Sequence, residues 1–383
     1  MKAIINGRIL LPDAEIQGKA LLFNETIAGI VTEEEARARA DEIIDAEGMY
    51  VSPGFIDTHI HGYQQDDASD DDPEGIRRMA RAMVKNGVTS FLPTTLTVGW
   101  DTLSSVCRQA RTLKEESLSA DYPGAEILGI HLEGPFVNPA KKGAQNENYI
   151  LAMDAEKVLP FADVIRVLTC APEMAGGEEF VKTLREKTDI RLSLGHTTAN
   201  FDQAKAAFDW GITRLTHTFN AMPPLHHRDP GTVGAALTDD RVYCELIPDT
   251  FHVHKGLFAL LAKMKGDHLV LITDALRAAG LEDGEYENGG QIFVLRGIEC
   301  RLTDGTIAGS VLPFCQGVRN LKENAGLSMV QAVRAGSLNA ACSAGVEDRK
   351  GSLEKGKDAD ILLMDEECRI LRTFVRGQCK YQA

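Results

Sequence analysis

From Pro53 onward the chain repeats one texture: a short apolar, β-branched run, a turn, then a segment whose apolar residues recur at helical spacing. The runs FIDTHIH, VTSFLPTT, EILGIHLEG, IRVLTCAPE, IRLSLGH, ITRLTH, VYCELIPD and HLVLITD make eight strands. Helical segments such as EGIRRMARAMVKNG, DTLSSVCRQARTLKEE, EEFVKTLREKT and FDQAKAAFDWG separate them. Strands joined through helices run parallel, because a parallel pair needs a long crossover. Eight such repeats predict an α/β protein with a (β/α)8 barrel, in which every strand's C-terminal end opens on one mouth.

The flanks read differently. Residues 1–52 hold short strands, KAIINGRILL and ALLFNETIAGIV, around turn residues, followed by the polar segment EEEARARADEIID. Residues 346–383 return to short strands with glycine turns in GSLEKGKDADILLMDEECRILRTFVRGQCKYQ. The expected organisation is a discontinuous small β-sandwich domain from 1–52 and 346–383 around a barrel domain at 53–345. After the eighth strand, EYENGGQIFVLRGIECRLTDGTIAGS predicts a hairpin or two, and helices follow in VRNLKENAG and SMVQAVRAGSLNAACSAG.

Chemistry concentrates at the strand ends. A period of two puts Phe55, Asp57, His59 and His61 on one face of the first barrel strand, with Ile56, Thr58 and Ile60 on the other. Glu133, His196, His217 and Asp274 each end a later strand. His59-x-His61 alone is a weak signal, but imidazoles and a carboxylate sharing one barrel mouth form the ligand set of zinc and related divalent ions. Asp274 could instead cap a helix beginning at DALRAAG; its place at the mouth argues for chemistry. His131, one pleat below Glu133, and His254 and His268 are read as packing or solvent positions.

Charge and cysteine usage narrow the class. A net charge of −15 with no basic run longer than Lys141-Lys142 argues against a nucleic-acid partner, which needs clustered Lys and Arg. The eight cysteines show no CxxC pair or secreted-scaffold spacing, as expected of a reducing cytoplasm. The N-terminal MKAIINGRILLPDAEIQ lacks the apolar stretch of a signal peptide, and no run reaches membrane-spanning length.

The ordered segments PGFIDTHIHG, HLEGPF, LGHTTA, THTFNAM and ITDA, with IAGS and GSLEKGKDADILLMD, resemble the amidohydrolase superfamily over nearly the whole chain. The likeness is to its branch that deacetylates amino-sugar phosphates. It implies hydrolysis of the N-acetyl group of N-acetylglucosamine 6-phosphate to glucosamine 6-phosphate and acetate, in amino-sugar catabolism. Many members bridge two metals with a carboxylated lysine on the fourth strand, but VIRVLTCAPE has none, so Glu133 takes the bridging role. With His59 and His61 both present, two divalent metals per subunit, zinc or iron, are expected; one loosely held metal is the alternative.

By the same resemblance, the backbone near Ala144 and Gln145, the Asn220-Ala221 turn, Arg228, His252, and Ile307, Ala308 and Gly309 line a sugar-phosphate pocket. Relatives carry a histidine after the KKG-small segment to polarise the acetyl carbonyl; here Gln145 stands in that stretch and its amide could donate instead. Asp274 is expected to be both general base and general acid. The family also implies a homodimer, in which Arg228 or His252 of the partner subunit completes the phosphate site. Three other readings stay open: a deacetylase for the galactosamine epimer, an amidohydrolase acting on cyclic amides or N-acyl amino acids, and a non-catalytic metal-binding barrel.

Overall fold

The computed structural model describes residues 1–288 and 290–383. Its central sheet contains the eight expected parallel strands: Phe55–Ile60, Val88–Thr95, Ile130–Glu133, Ile165–Cys170, Arg191–Leu194, Arg214–Leu215, Tyr243–Leu246 and Leu269–Leu271. The first and eighth strands form no regular ladder. They are joined instead at the mouth, where the Asp274 N–H donates to the His59 carbonyl at 2.9 Å and the N–H groups of His61 and Gly62 to that of Ala275, each at 2.9 Å. The chain is thus a (β/α)8 barrel, as its repeats predicted.

The helices form where caps and apolar spacing agree. Pro73–Met83 starts at Asp72, whose side chain accepts from the Glu74 N–H, with Pro at its first position and Ile76, Met79, Ala80 and Met83 buried along one face. Phe201–Trp210 is framed by a capping box of Asn200 and Gln203 and stops at Gly211, whose φ of 118° only glycine adopts without cost. The helix Leu338–Ala344 plugs the barrel floor, where Ala340, Ala341 and Ala344 pack on Ile56, Leu92, Val167, Val270 and Ile272.

Above this apolar floor the interior turns polar. Thr58, His131, Thr169, Ser193, Arg214, Thr216 and Glu245 are all fully buried, and Thr169 and Ser193 each bond the Thr216 hydroxyl, at 2.8 and 2.6 Å.

The two ends of the chain build a sandwich of two sheets. One has four strands, ordered Ile27–Val31, Ala20–Phe23, Lys2–Ile5 and Glu42–Asp45. The other has six and is mixed in origin, with Ile361–Met364 antiparallel to Tyr50–Pro53. Ile4, Leu21, Phe23, Val51, Ile361, Leu363 and Phe374 fill the space between, with Phe23 and Phe374 edge to face at 5.7 Å. The polar segment after the first strands resolves into a helix, Glu33–Arg39, and the edge strand Glu42–Asp45. The insert after the eighth strand is a three-stranded antiparallel sheet, Gly284–Asn288, Gln291–Arg296 and Glu299–Leu302; Gly289 of that segment lies outside the described residues.

Candidate active site

The first barrel strand does not keep one face. Its register against the second runs Asp57 opposite Phe91 and then Ile60 opposite Pro93, so the first strand carries an extra residue between the two pairings. Phe55 packs outward on Phe314 at 5.1 Å, whereas Ile56 belongs to the floor. Thr58 and His59 both face inward, bonded to Arg214 and Glu245 at 3.1 and 3.0 Å. The expected shared face of Phe55, Asp57, His59 and His61 is therefore corrected: a bulge re-aims the chain so that both imidazoles reach the mouth despite the outward start.

Three other tips are turned inward by the backbone. His196, His217 and Asp274 have φ of 46°, 29° and 50°, in the left-handed region that costs a non-glycine residue on the order of 1–3 kcal/mol. Each stands where a strand has ended, and the unusual conformation turns its side chain into the cavity.

The result is two triads able to hold a cation, His59-His61-Glu133 and Glu133-His196-His217, sharing one carboxylate, with a third group, His59-His131-Glu245, beneath them. Glu133 Oε1 lies 3.3 Å from His59 Nε2, 3.3 Å from His196 Nε2 and 3.2 Å from His217 Nε2. Glu133 Oε2 lies 3.3 Å from His61 Nε2. Asp274 Oδ1 closes the group, 3.4 Å from His59 Nε2 and 3.2 Å from His61 Nε2. All six sequence-predicted tips thus meet in one place.

The donor set fits divalent cations. His59 Nε2 and Glu133 Oε1 are buried without a hydrogen-bond partner among the described residues, a costly state unless a cation satisfies them. His196 Nδ1 donates to the Lys141 carbonyl at 2.9 Å, leaving its Nε2 bare, 3.1 Å from His217 Nε2. Two such nitrogens converging on a carboxylate oxygen form a cation cradle.

Electrostatics agree. Burial lowers the pKa of His61, yet Asp274 and Glu133 override it and push it up to about 10. Burial likewise opposes the charged forms of Glu133 and Asp274, but the surrounding imidazoles hold both carboxyls below their usual range. The site favours positive charge at its centre.

Above the triads opens a cavity of about 330 Å³. Of the residues assigned to substrate by resemblance, Ala144, Gln145, Asn220, Ala221, His252, Ile307 and Gly309 line it. Ala308 is buried beside it, in a cluster with Leu276 and Phe293. Arg228 is not brought in: it is exposed on the loop before helix Gly231–Leu237, bonded to neighbouring His227 at 2.8 Å. Gln145 is engaged at both ends of its amide, donating to Glu133 Oε2 and accepting from the Thr97 N–H, each at 2.6 Å.

Several residues of the site escaped the sequence reading. Asp249 orients His252 through its Nδ1 at 2.6 Å. Glu245 and Arg214 lie beneath the triads, and His131, assigned no chemistry, sits under His59 with ring centroids 4.6 Å apart. Burial pushes His131 down to about 3, so it is neutral and bonds the Thr58 carbonyl and the Thr169 hydroxyl. The fourth strand, Ile165–Cys170, carries no lysine that could bridge two cations.

Residues 50–380 match the amidohydrolase family, and the chain belongs to it: a metal-dependent hydrolase of amide bonds. Among its relatives, the N-acetylglucosamine-6-phosphate deacetylase of Bacillus subtilis (strain 168) is 38% identical over 360 residues, 93% of this chain and 90% of that one. The N-acetylgalactosamine-6-phosphate deacetylase of Escherichia coli O157:H7 is 35% identical over 340 residues, 88% of this chain and 89% of its own. The crystal structure of N-acetylglucosamine-6-phosphate deacetylase from Pasteurella multocida is 30% identical, with a TM-score of 0.93 over 100% of both chains.

Proposed function

We propose that this protein hydrolyses the acetamide of N-acetylglucosamine 6-phosphate to glucosamine 6-phosphate and acetate, as a cytoplasmic enzyme of amino-sugar catabolism. The observation that carries the reading is the pair of triads sharing Glu133, with Asp274 at 3.2 Å from His61, at the base of a sugar-sized cavity. His59, His61 and Glu133 would hold one cation, and Glu133, His196 and His217 a second, zinc or iron being suited to these donors. Such cations supply Lewis acidity, bringing the pKa of water from ~15.7 to about 7 and polarising a carbonyl oxygen.

The residues of the chain do the rest. Asp274, ionised and facing the cavity, accepts a proton from the attacking water and returns it to the departing sugar nitrogen, so one carboxylate serves both halves of the reaction. Gln145 keeps a second N–H beyond the one spent on Glu133, the donor proposed for the acetyl carbonyl. His252, aimed by Asp249, and the Asn220-Ala221 and Ile307–Gly309 backbones hold the sugar. The same reading divides the chain into a catalytic barrel at 53–345 and a supporting sandwich of 1–52 and 346–383.

The enzyme is proposed to act as a homodimer. Leu257, Leu260 and Met264, spaced along one face of the helix after His252, are 37%, 37% and 43% exposed, and Leu225 beside the Arg228 loop is 43% exposed. A second copy of the chain would cover them and bring Arg228 of the partner subunit to the sugar phosphate. Arg228→Ala is expected to raise KM for the phosphorylated sugar about 10- to 100-fold, the worth of one charge-assisted hydrogen bond, with little change for the unphosphorylated sugar. Equal effects on both would reject the phosphate role.

The 35% identity to the E. coli galactosamine enzyme favours one second reading, deacetylation of N-acetylgalactosamine 6-phosphate. Acetate release from both epimers, measured beside the metal content of the purified protein, decides between them. Full activity on neither sugar, or activity surviving exhaustive chelation, would defeat the proposal. Among the described residues no helix is long and apolar enough to cross a membrane.

A further inference from the structure

The floor of the site holds an ion pair for which the hydrolysis has no direct use. Arg214 and Glu245, on the sixth and seventh strands, are both fully buried, and Arg214 Nη2 lies 2.5 Å from Glu245 Oε1. Arg214 is further bonded to the hydroxyls of Thr58 and Ser343. Barrel interiors are ordinarily filled by branched aliphatic side chains. Desolvating two charges there is costly enough that an apolar pair of similar volume is often no less stable. Packing alone therefore does not account for the pair.

The other oxygen of Glu245 supplies a reason. Oε2 accepts from His59 Nδ1 at 3.0 Å and from the main-chain N–H of His217 at 3.1 Å. A carboxylate only accepts, so it fixes the proton on Nδ1 and leaves Nε2 of His59 to face Glu133 and Asp274. His59 belongs to one triad and His217 to the other, so one oxygen atom ties the two together. We propose that Glu245, locked in orientation by Arg214, is a positioning residue that sets the tautomer of His59 and the spacing of the two cation sites. The inference rests on reading the triads as cation ligands.

The role of Arg214 can be separated from that of Glu245. In Glu245→Gln alone, the amide oxygen must face Arg214, which turns the NH2 group against His59 and the His217 N–H. In an Arg214→Met background that constraint is gone, and the introduced glutamine can present its oxygen to both donors, whereas a leucine there cannot. The test therefore compares R214M/E245Q with R214M/E245L, two double variants that each remove both charges and so leave no buried ion unpaired.

Two readouts serve: cations per chain after dialysis of zinc-loaded protein, and the downfield, slowly exchanging Nδ1 proton of His59 in NMR spectra of metal-free protein. Wild type and R214M/E245Q are expected to hold two cations and show the proton. R214M/E245L is expected to lose it and to bind its His59-His61 cation about 10- to 100-fold more weakly. Equal stoichiometry and equal spectra for the two double variants would overturn the proposal. A wild type that binds neither zinc nor iron would instead bring down the proposed function, while the proton resonance still decides whether Glu245 sets the tautomer of His59.

Discussion

Asp274→Asn is expected to keep its cations and its fold while kcat falls by at least about 100-fold, the scale of acid-base catalysis by one positioned group. Asparagine has the size of aspartate, but its amide can neither take up a proton nor return one. The Asp274 carboxyl lies below its usual range, favoured by the positive charge gathered beside it, so at neutral pH it carries the ionised form that a base requires. Turnover from acetate release, beside metal content per chain, checks this: normal kcat would remove Asp274 from the reaction, and lost metal would make it a ligand instead.

Glu133→Gln is expected to be more severe. Glu133 is common to both triads, and its two oxygens meet four imidazoles at 3.2–3.3 Å. Neutralising it removes the charge that gathers those rings, so both cations should be lost together. Without them the nucleophile is ordinary water, whose pKa lies about nine units higher, and activity should fall by at least about four orders of magnitude. Retention of one cation per chain by Glu133→Gln would show that the triads do not depend on a common ligand.

Much of this site was legible because the signal is local. An apolar run that ends in His, Glu or Asp marks a strand tip in any α/β protein, and His59, His61, Glu133, His196, His217 and Asp274 all carry it. The bulge after Asp57 was not legible, since an extra residue leaves no mark in an alternating pattern; only pairing with Phe91 and Pro93 reveals it. Glu245 and Arg214 were missed for a related reason: a charge inside a short strand reads as an edge or solvent position until the fold pairs it with a partner on the next strand. The helix Glu33–Arg39 went unread because it buries only Ala36 and has no apolar stripe, although Thr32 before three glutamates is a start signal.

The mixed sheet of the sandwich sets an order of events during synthesis. Tyr50–Pro53 leads directly into the first barrel strand, yet its ladder partner Ile361–Met364 leaves the ribosome roughly 300 residues later, a delay of about 15–60 s at ordinary translation rates. Over that interval Phe23 lacks its ring partner Phe374 and Val51 its ladder partner Leu363. A nascent chain stalled before residue 361 should present this face to chaperones even with its barrel complete.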